Sequence, residues 1–323
     1  MKGDSEDMTA AGSEYIMIRY DKVRYISIGV QAIREGKQHT HDVLELGLVL
    51  DGRIQVRSKN NTVVLEPGQL LLCNAFEAHT ISAVSDRPVH LLSIWISGHF
   101  GREYCTYISN LEFDADMLHK LPQTAADTIR SRMLDAARCY FSESAGFPLE
   151  CVGSVNLLLA DLLRSVPYQS ATDADNAIKK KNIGRLHRIS VYIEQHYKEK
   201  LTLTELAEAE GLTAAYMSRI FRELFHMSFQ EYLNLLRLER ALPLLRNPSV
   251  YLVDVCMECG FSDTRYLNSV CQKVFGCSAT AYRRQYGDYS TAPHFDRLQS
   301  GEISYNDRES LELLEAFRTL QGE

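Results

Sequence analysis

Three imidazoles and a carboxylate stand close together in the first third of the chain: His39-Thr-His41-Asp-Val-Leu-Glu45, with His79 further on. Nitrogen and carboxylate donors in this number suit a divalent transition ion. Without an ion, the same groups would line a polar barrel mouth or form hydrogen-bonded barrel positions. Alternation puts His39, His41 and Glu45 on one strand face if the strand is regular there, and His79 would approach from a neighbouring strand. Tyr25 and Trp95 are possible pocket aromatics, although core packing accounts for each as well. Beyond these groups no acid–base pair stands out. A ligand pocket of Tyr25, His39, His41, Glu45, His79 and Trp95 is therefore expected rather than a catalytic site. No cofactor and no metal is expected; if a metal were held, its ligands would be His39, His41, Glu45 and His79.

A second chemistry, the reading of a polyanion, comes from arginines on a helix face. The run Leu201 to Arg222 places Leu203, Leu206 and Ala207 at helical spacing, with Thr202 and Thr204 as N-caps. Gly211 supplies a turn, Thr213 caps a second helix, and Tyr216, Met217, Ile220 and Phe221 face inward. Two short helices joined by a glycine turn form a DNA-reading unit whose second helix enters the major groove. The pattern recurs about 50 residues later: Leu252, Val255 and Cys256 repeat Leu203, Leu206 and Ala207, and Gly260 repeats Gly211. Ser228 and Tyr232 recur as Ser278 and Tyr282, and a long helix from Phe229 to Leu245 separates the units.

The runs Ile193-Glu-Gln-His-Tyr-Lys-Glu-Lys-Leu-Thr-Leu, Gly-Leu-Thr-Ala-Ala-Tyr-Met-Ser-Arg-Ile-Phe, Gly260-Phe-Ser-Asp and Gly276-Cys-Ser-Ala-Thr-Ala-Tyr-Arg283 resemble the AraC/XylS family of bacterial transcription regulators. The histidine stretch with Gly52, Pro67-Gly68 and His79 resembles the cupin motifs, with which the sensor half of many such regulators begins. The resemblance implies that Ala214, Ala215, Ser218, Arg219 and Arg222 in the first unit approach base edges and phosphates. The matching face of the second unit is Thr264, Arg265, Asn268, Ser269, Gln272 and Lys273. Arg219 is the best base reader, because a guanidinium matches guanine O6 and N7, while Arg222 suits phosphate. The family usually has Arg at the Ser269 position and Phe-Lys where this chain has Cys271-Gln272.

The elements that must position these groups change character along the chain. From Tyr15 to Ser97, seven short strands with turns at Asp51-Gly52, Asn60-Asn61 and Glu66-Pro67-Gly68 suggest a small barrel or jelly roll. Residues 115–166 turn helical, and Val152, Val155, Leu159 and Leu162 form an apolar stripe. In the resembled family the helices here make the dimer, although packing on the chain's own barrel is the alternative. The expected organisation is multidomain, β followed by α. A disordered N-terminus (1–14) precedes a cupin-like sensor barrel (15–112) and a helical dimerisation segment (113–166). A linker (167–182), an all-α tandem helix-turn-helix domain (183–287) and an acidic extension (288–323) follow.

Charge gives DNA binding no support: the net is −7, and residues 183–290 hold 13 Lys and Arg against 12 Asp and Glu. Affinity must rest on a few placed contacts and on dimerisation. No apolar run reaches the ~18 residues of a membrane span, and the N-terminus is too polar for a signal peptide. A soluble, cytoplasmic protein with reduced cysteines is expected. The cysteines Cys256, Cys259, Cys271 and Cys277 could form a zinc set, but small buried hydrophobes explain them better. The expected partners are double-stranded promoter or operator DNA, a small-molecule effector and a second copy of the chain, with RNA polymerase as a further candidate and no membrane. Two alternatives differ in class: a metal-binding cupin enzyme acting on a sugar or small acid, and a helical adaptor that never meets DNA.

Overall fold

Short alternating runs in the first third pair into two facing five-stranded sheets. The computed structural model describes residues 14–16, 18, 20, 22–58, 61–101, 104–105, 111–170, 188–224, 227–286 and 303–321. The expected disordered segment up to residue 13, linker residues 171–182 with the Lys179–Lys181 run, and 287–302 lie outside the described residues. Along the chain come β1 (Glu14–Tyr15), β2 (Ile26–Ile33), β3 (His39–Thr40), β4 (Val43–Val49), β5 (Ile54–Ser58), β6 (Asn61–Leu65), β7 (Leu70–Cys73), β8 (His79–Ala83) and β9 (Val89–Ser97). Two further strands, β10 (Leu111–Phe113) and β11 (Tyr168–Ser170), pair with each other, and β12 (Ile303–Ser304) comes near the C-terminus. One sheet runs β1-β3-β8-β5-β6 and the other β12-β2-β9-β4-β7.

Period-two patterning sorts the second sheet's side chains to two cores. Val49, Leu71, Cys73, Val89 and Leu91 meet Ile54, Val56, Leu65 and Ile81 between the sheets. Their alternates, Ile26, Ile28, Val30, Leu46, Leu48, Leu92, Ile94 and Ile96, face the helices. Those helices are α1 (Ala115–Leu118), α2 (Gln123–Ser142) and α3 (Phe147–Ser165). Val155, Leu159 and Leu162, three of the four residues expected at a dimer contact, are buried in this outer core, and Val152 packs against its edge. The side of α3 left to solvent carries Leu149, Gly153 and Leu157.

The helical part consists of α4 (188–196), α5 (Leu203–Ala209), α6 (Ala214–Leu224), α7 (Phe229–Arg246), α8 (Leu252–Cys259), α9 (Thr264–Phe275) and α10 (Ala279–Tyr286). Thr202 and Ser228 each form a capping box, with Glu205 and Glu231 respectively. Thr213 accepts from the Tyr216 N–H and Asp263 from the same position of α9, also Tyr266. The α7 helix is apolar on both sides because it serves two cores. Phe229, Tyr232, Leu233 and Leu236 join Leu206, Ala207, Met217 and Phe221, while Leu238, Ala241, Leu242 and Leu245 join Val255, Cys256, Leu267 and Val270. Its 18 residues span about 27 Å at ~1.5 Å per residue, on the scale of the ~34 Å turn of B-DNA.

The acidic extension does not trail away. β12 pairs with β2, the Tyr305 hydroxyl lies 2.8 Å from His90 Nε2, and α11 (Asp307–Gln321) buries Leu314 and Phe317 in the outer core. Asp307 Oδ2 is 2.6 Å from Lys22 Nζ, whose side chain is 2% exposed and also meets Glu143 at 2.9 Å. Asp307→Ala would leave that buried ammonium with one carboxylate; with Glu143 retained, the cost should be about 2 kcal/mol, read by urea unfolding. An unchanged midpoint would show that Glu143 and the Tyr140 carbonyl satisfy Lys22.

Candidate functional site

Each pair of short helices holds its second member by the same device, a capped start and a glycine-ended predecessor. Burial of Met217, Ile220 and Phe221 turns Ala215, Arg219 and Arg222 of α6 to solvent, with Ala214 and Ser218 half-buried. Arg219 lies over the Tyr216 ring at 4.8 Å, which steadies the guanidinium near the helix surface. On α9, Leu267, Val270 and Cys271 face inward, leaving Arg265, Ser269, Gln272 and Lys273 exposed and Thr264 and Asn268 half-buried. Two of these side chains are already engaged. Asn268 Oδ1 accepts the Ala279 N–H and so caps α10, and Lys273 Nζ lies 2.6 Å from Glu231 Oε1. Spacing along a helix shows which side chains share a face but not which partners come from another helix. The cysteines of this part behave as small hydrophobes: burial pushes the thiols of Cys259 and Cys271 up to about 12.

The histidine stretch converges, but not along one regular strand. β3 ends at Thr40 and β4 begins at Val43, and the chain changes sheets between them. His39 therefore sits in one sheet, opposite His79 in register, while Glu45 sits in the other between Trp95 and Cys73. His41 bridges the crossover. The four donor atoms lie within 4.8 Å of one another, close to the ~4.2 Å diameter of a shell with ~2.1 Å metal–nitrogen bonds.

Each ring is oriented by a backbone carbonyl: His39 Nδ1 is 3.1 Å from the Lys37 oxygen, His41 Nδ1 3.1 Å from Val43, and His79 Nδ1 2.8 Å from Glu77. A carbonyl only accepts, so each Nδ1 carries a proton and each Nε2 points at the centre. His41 Nε2 and His79 Nε2 then stand 3.0 and 3.4 Å from Glu45 Oε2, and the longer contact is no hydrogen bond. Lone pairs this close to a carboxylate require a cation between them, either a proton or a metal ion. Burial raises the Glu45 carboxyl, but the hydrogen-bonded His41 and the nearby His79 imidazole outweigh it, so the group stays well below the usual carboxylate range. Burial, then the charges of His79 and His41, push His39 down to about 3. His79 is raised, because Cys73 and Glu45 outweigh its burial. Carbonyl-oriented imidazoles around a buried carboxylate form a donor set that could hold a divalent transition ion.

Trp95 flanks this centre, buried with Ile18 and Val43. Tyr25 lies elsewhere: it stacks on His99 at 5.6 Å and carries the Arg24 guanidinium over its ring at 4.6 Å. This is where the two parts of the chain meet. His99 Nε2 is 3.0 Å from Glu194 Oε2, Arg240 of α7 bonds the same carboxylate, and the Tyr20 N–H donates to Glu239 at 3.0 Å. Burial raises the Glu194 carboxyl, but His99, Arg240 and Arg24 outweigh it and hold the group low. Phe76, with φ 59°, donates its N–H to the His41 carbonyl at 2.6 Å and packs its ring on the core shared by α5, α6 and α7. Sequence reasoning missed Phe76, Glu194 and Arg240. Buried charges on α7, an otherwise apolar helix, were the one available signal.

Comparison with known proteins agrees with this division. A helix-turn-helix domain family matches residues 206–285 and a cupin domain family matches residues 28–95. The HTH-type transcriptional activator RhaR of Mannheimia succiniciproducens is 32% identical over 105 residues, which are 32% of this chain and 38% of RhaR. Uncharacterized HTH-type regulators of Staphylococcus aureus are likewise matched over 35% of their length, so the chain spans little more than a third of these relatives. The probable transcriptional regulator LumQ of Photobacterium leiognathi is 24% identical over 81% of this chain and 98% of its own length. Among solved structures, ToxT from Vibrio cholerae O395 aligns with a TM-score of 0.40 at 13% identity, covering 81% of this chain and 98% of ToxT. No helix among the described residues is long and apolar enough to cross a membrane. A cupin domain thus stands ahead of a helix-turn-helix domain whose two glycine-hinged helix pairs share one long helix, an arrangement similar to that of HTH-type transcriptional regulators.

Proposed function

We propose that the chain is a cytoplasmic, sequence-specific DNA-binding regulator whose activity answers to a small molecule held by its cupin part. One observation carries this reading: α6 and α9 stand at opposite ends of α7 and turn polar, arginine-bearing faces to solvent. Arg219 reads a base edge, Arg222 and Arg265 grip phosphate, and Ala214, Ala215 and Ser218 set the close approach. Thr264, Ser269 and Gln272 offer short polar contacts in the second unit, while Asn268 and Lys273 mainly brace it. A second copy of the chain would join through the Leu149, Gly153 and Leu157 side of α3, and RNA polymerase is a downstream partner. The enzyme alternative has less support, since the relatives are named regulators.

Occupancy of the cupin part would reach the DNA-reading part through Phe76 and the Glu194–Arg240 contact, shifting the population between arrangements of the two. A divalent ion on His39, His41, Glu45 and His79 would supply a Lewis-acid anchor for an anionic or hydroxylated effector. Footprinting on the chain's own upstream DNA, over a salt series, tests the central claim. Arg219→Ala should cost about 1–3 kcal/mol on the protected site, roughly 5- to 150-fold in Kd, and relax preference at one base pair. Equal affinity of variant and parent would remove Arg219 from the interface.

A further inference from the structure

The strands β6 and β7 follow one another in the chain but edge opposite sheets, so the sandwich is open between them. Together with α1, β10 and β11, their residues line an open cleft of about 730 Å³, within the size range of small-molecule pockets. Its floor is apolar: Val56, Leu65 and Leu71 belong to the core between the sheets, and Val63 packs beside them. Its rim is acidic. Glu112 stands on β10, Asp114 just ahead of α1, and Asp116, which accepts from Asn61, on α1, while Glu77 lies deeper, buried and fixed by Ser58 and Asn74. Among the described residues lining it there is no Lys or Arg. Burial keeps His119 towards its neutral form despite Asp116. Tyr168, packed edge-on against Phe113 at 6.0 Å, adds an aromatic face at the rim.

Carboxylates gathered at the mouth of a cleft with an apolar floor attract a cation and repel an anion. An aromatic face next to them favours a soft organic cation over a small hydrated ion. We propose that this cleft binds an amphipathic organic cation, with an amine or quaternary ammonium head at Glu112, Asp114 and Asp116 and an apolar body on Val63 and Leu65. The cleft is separate from the histidine centre but shares a wall with it. Ser58 pairs with His79 in register and donates to the Glu77 carboxylate, while the Glu77 carbonyl accepts from His79 Nδ1. The inference deepens the reading of the chain as effector-responsive and rests on it only for what binding accomplishes. Binding itself is measured without DNA.

Titration calorimetry on the purified full-length chain would use phenethyltrimethylammonium as the probe, with 2-phenylethanol and phenylacetate as neutral and anionic counterparts. The cation should bind at least tenfold tighter than the alcohol, and the anion should not bind. Asp114→Asn combined with Asp116→Asn, both at exposed positions, should weaken the cation at least tenfold and leave the alcohol within twofold. Val63→Trp, which fills the cleft without altering charge, should abolish binding of both. A retained thermal transition shows that each variant is folded, and Glu112→Gln replaces the double variant if it is not. A parent protein without cation preference, or cation binding unchanged in the folded variants, overturns the proposal. If the cation binds as expected but leaves DNA affinity unchanged, the site stands and the effector reading fails.

Discussion

Gly260→Ala should destabilise the helix-turn-helix part by about 3 kcal/mol or more, whereas the matching change Gly211→Ala should cost about 1 kcal/mol. Both glycines close the first helix of a repeat in the left-handed region, at φ 78° and 65°. An alanine there carries a similar backbone strain of ~1–2 kcal/mol in either place. Their surroundings differ. A Cβ on Gly211 meets nothing within 4 Å, but one on Gly260 stands 2.7 Å from Lys198 Cα and 2.7 Å from the Tyr197 carbonyl oxygen. These are backbone atoms following α4 and cannot step aside as a side-chain end would. The same segment is tied to α7, because Arg237 donates to the Tyr197 and Glu199 carbonyls at 2.7 Å each. Separating α8 from it would disturb both units, so Gly260→Ala should also weaken operator binding more than Gly211→Ala. Thermal melts of the two variants decide the matter, and equal losses would show that the contact with Tyr197 and Lys198 relaxes freely.

Glu45→Ala should lower stability by about 3–5 kcal/mol, because it removes one partner from a buried charged cluster and leaves the others facing a void. Glu45 is 2% exposed, and the Nε2 atoms of His41 and His79 converge on its carboxylate. Glu45→Gln keeps the volume and one acceptor, so it should lose less. If the centre holds a metal, stoichiometric zinc or another divalent ion should raise the melting temperature of the parent and not of Glu45→Ala. Urea midpoints measured with and without chelator separate the two contributions. A Glu45→Ala protein as stable as its parent would mean that the cluster needs no charge at its centre.

Much of this arrangement is written in short-range patterns. Short alternating or apolar runs between turn signals located β2 and β4 to β9, since each strand must bury one face or both. The doubled spacing of Leu206 and Val255, with Gly211 and Gly260, located both units, because a short helix pair needs the same cap, turn and inward stripe wherever it occurs. Partners brought from afar left no such mark. The stripe of Val155, Leu159 and Leu162 looked the same whether α2 or a second chain covered it, and α2 covers it. Asn268 and Lys273 lie on the expected face, yet their partners are Ala279 and Glu231. The histidines meet although their strand is interrupted, because the chain crosses between sheets at His41, a change of layer that residue spacing does not encode.

The return of the C-terminal helix changes the topology of the molecule. The chain leaves the cupin part at Ser170 and rejoins it at Ile303, so the helix-turn-helix part is a guest inserted into its host rather than a bead at the end of a string. It is moored at both ends, and residues 171–187 and 287–302 can each reach no further than ~60 Å at ~3.5 Å per residue. A swing that lengthens one mooring is checked by the other. Leu314 and Phe317 anchor the second mooring without a covalent bond to the host's own strands. A backbone cut between Tyr286 and Ile303 should therefore leave the last helix in place and release the guest from only one of its two restraints.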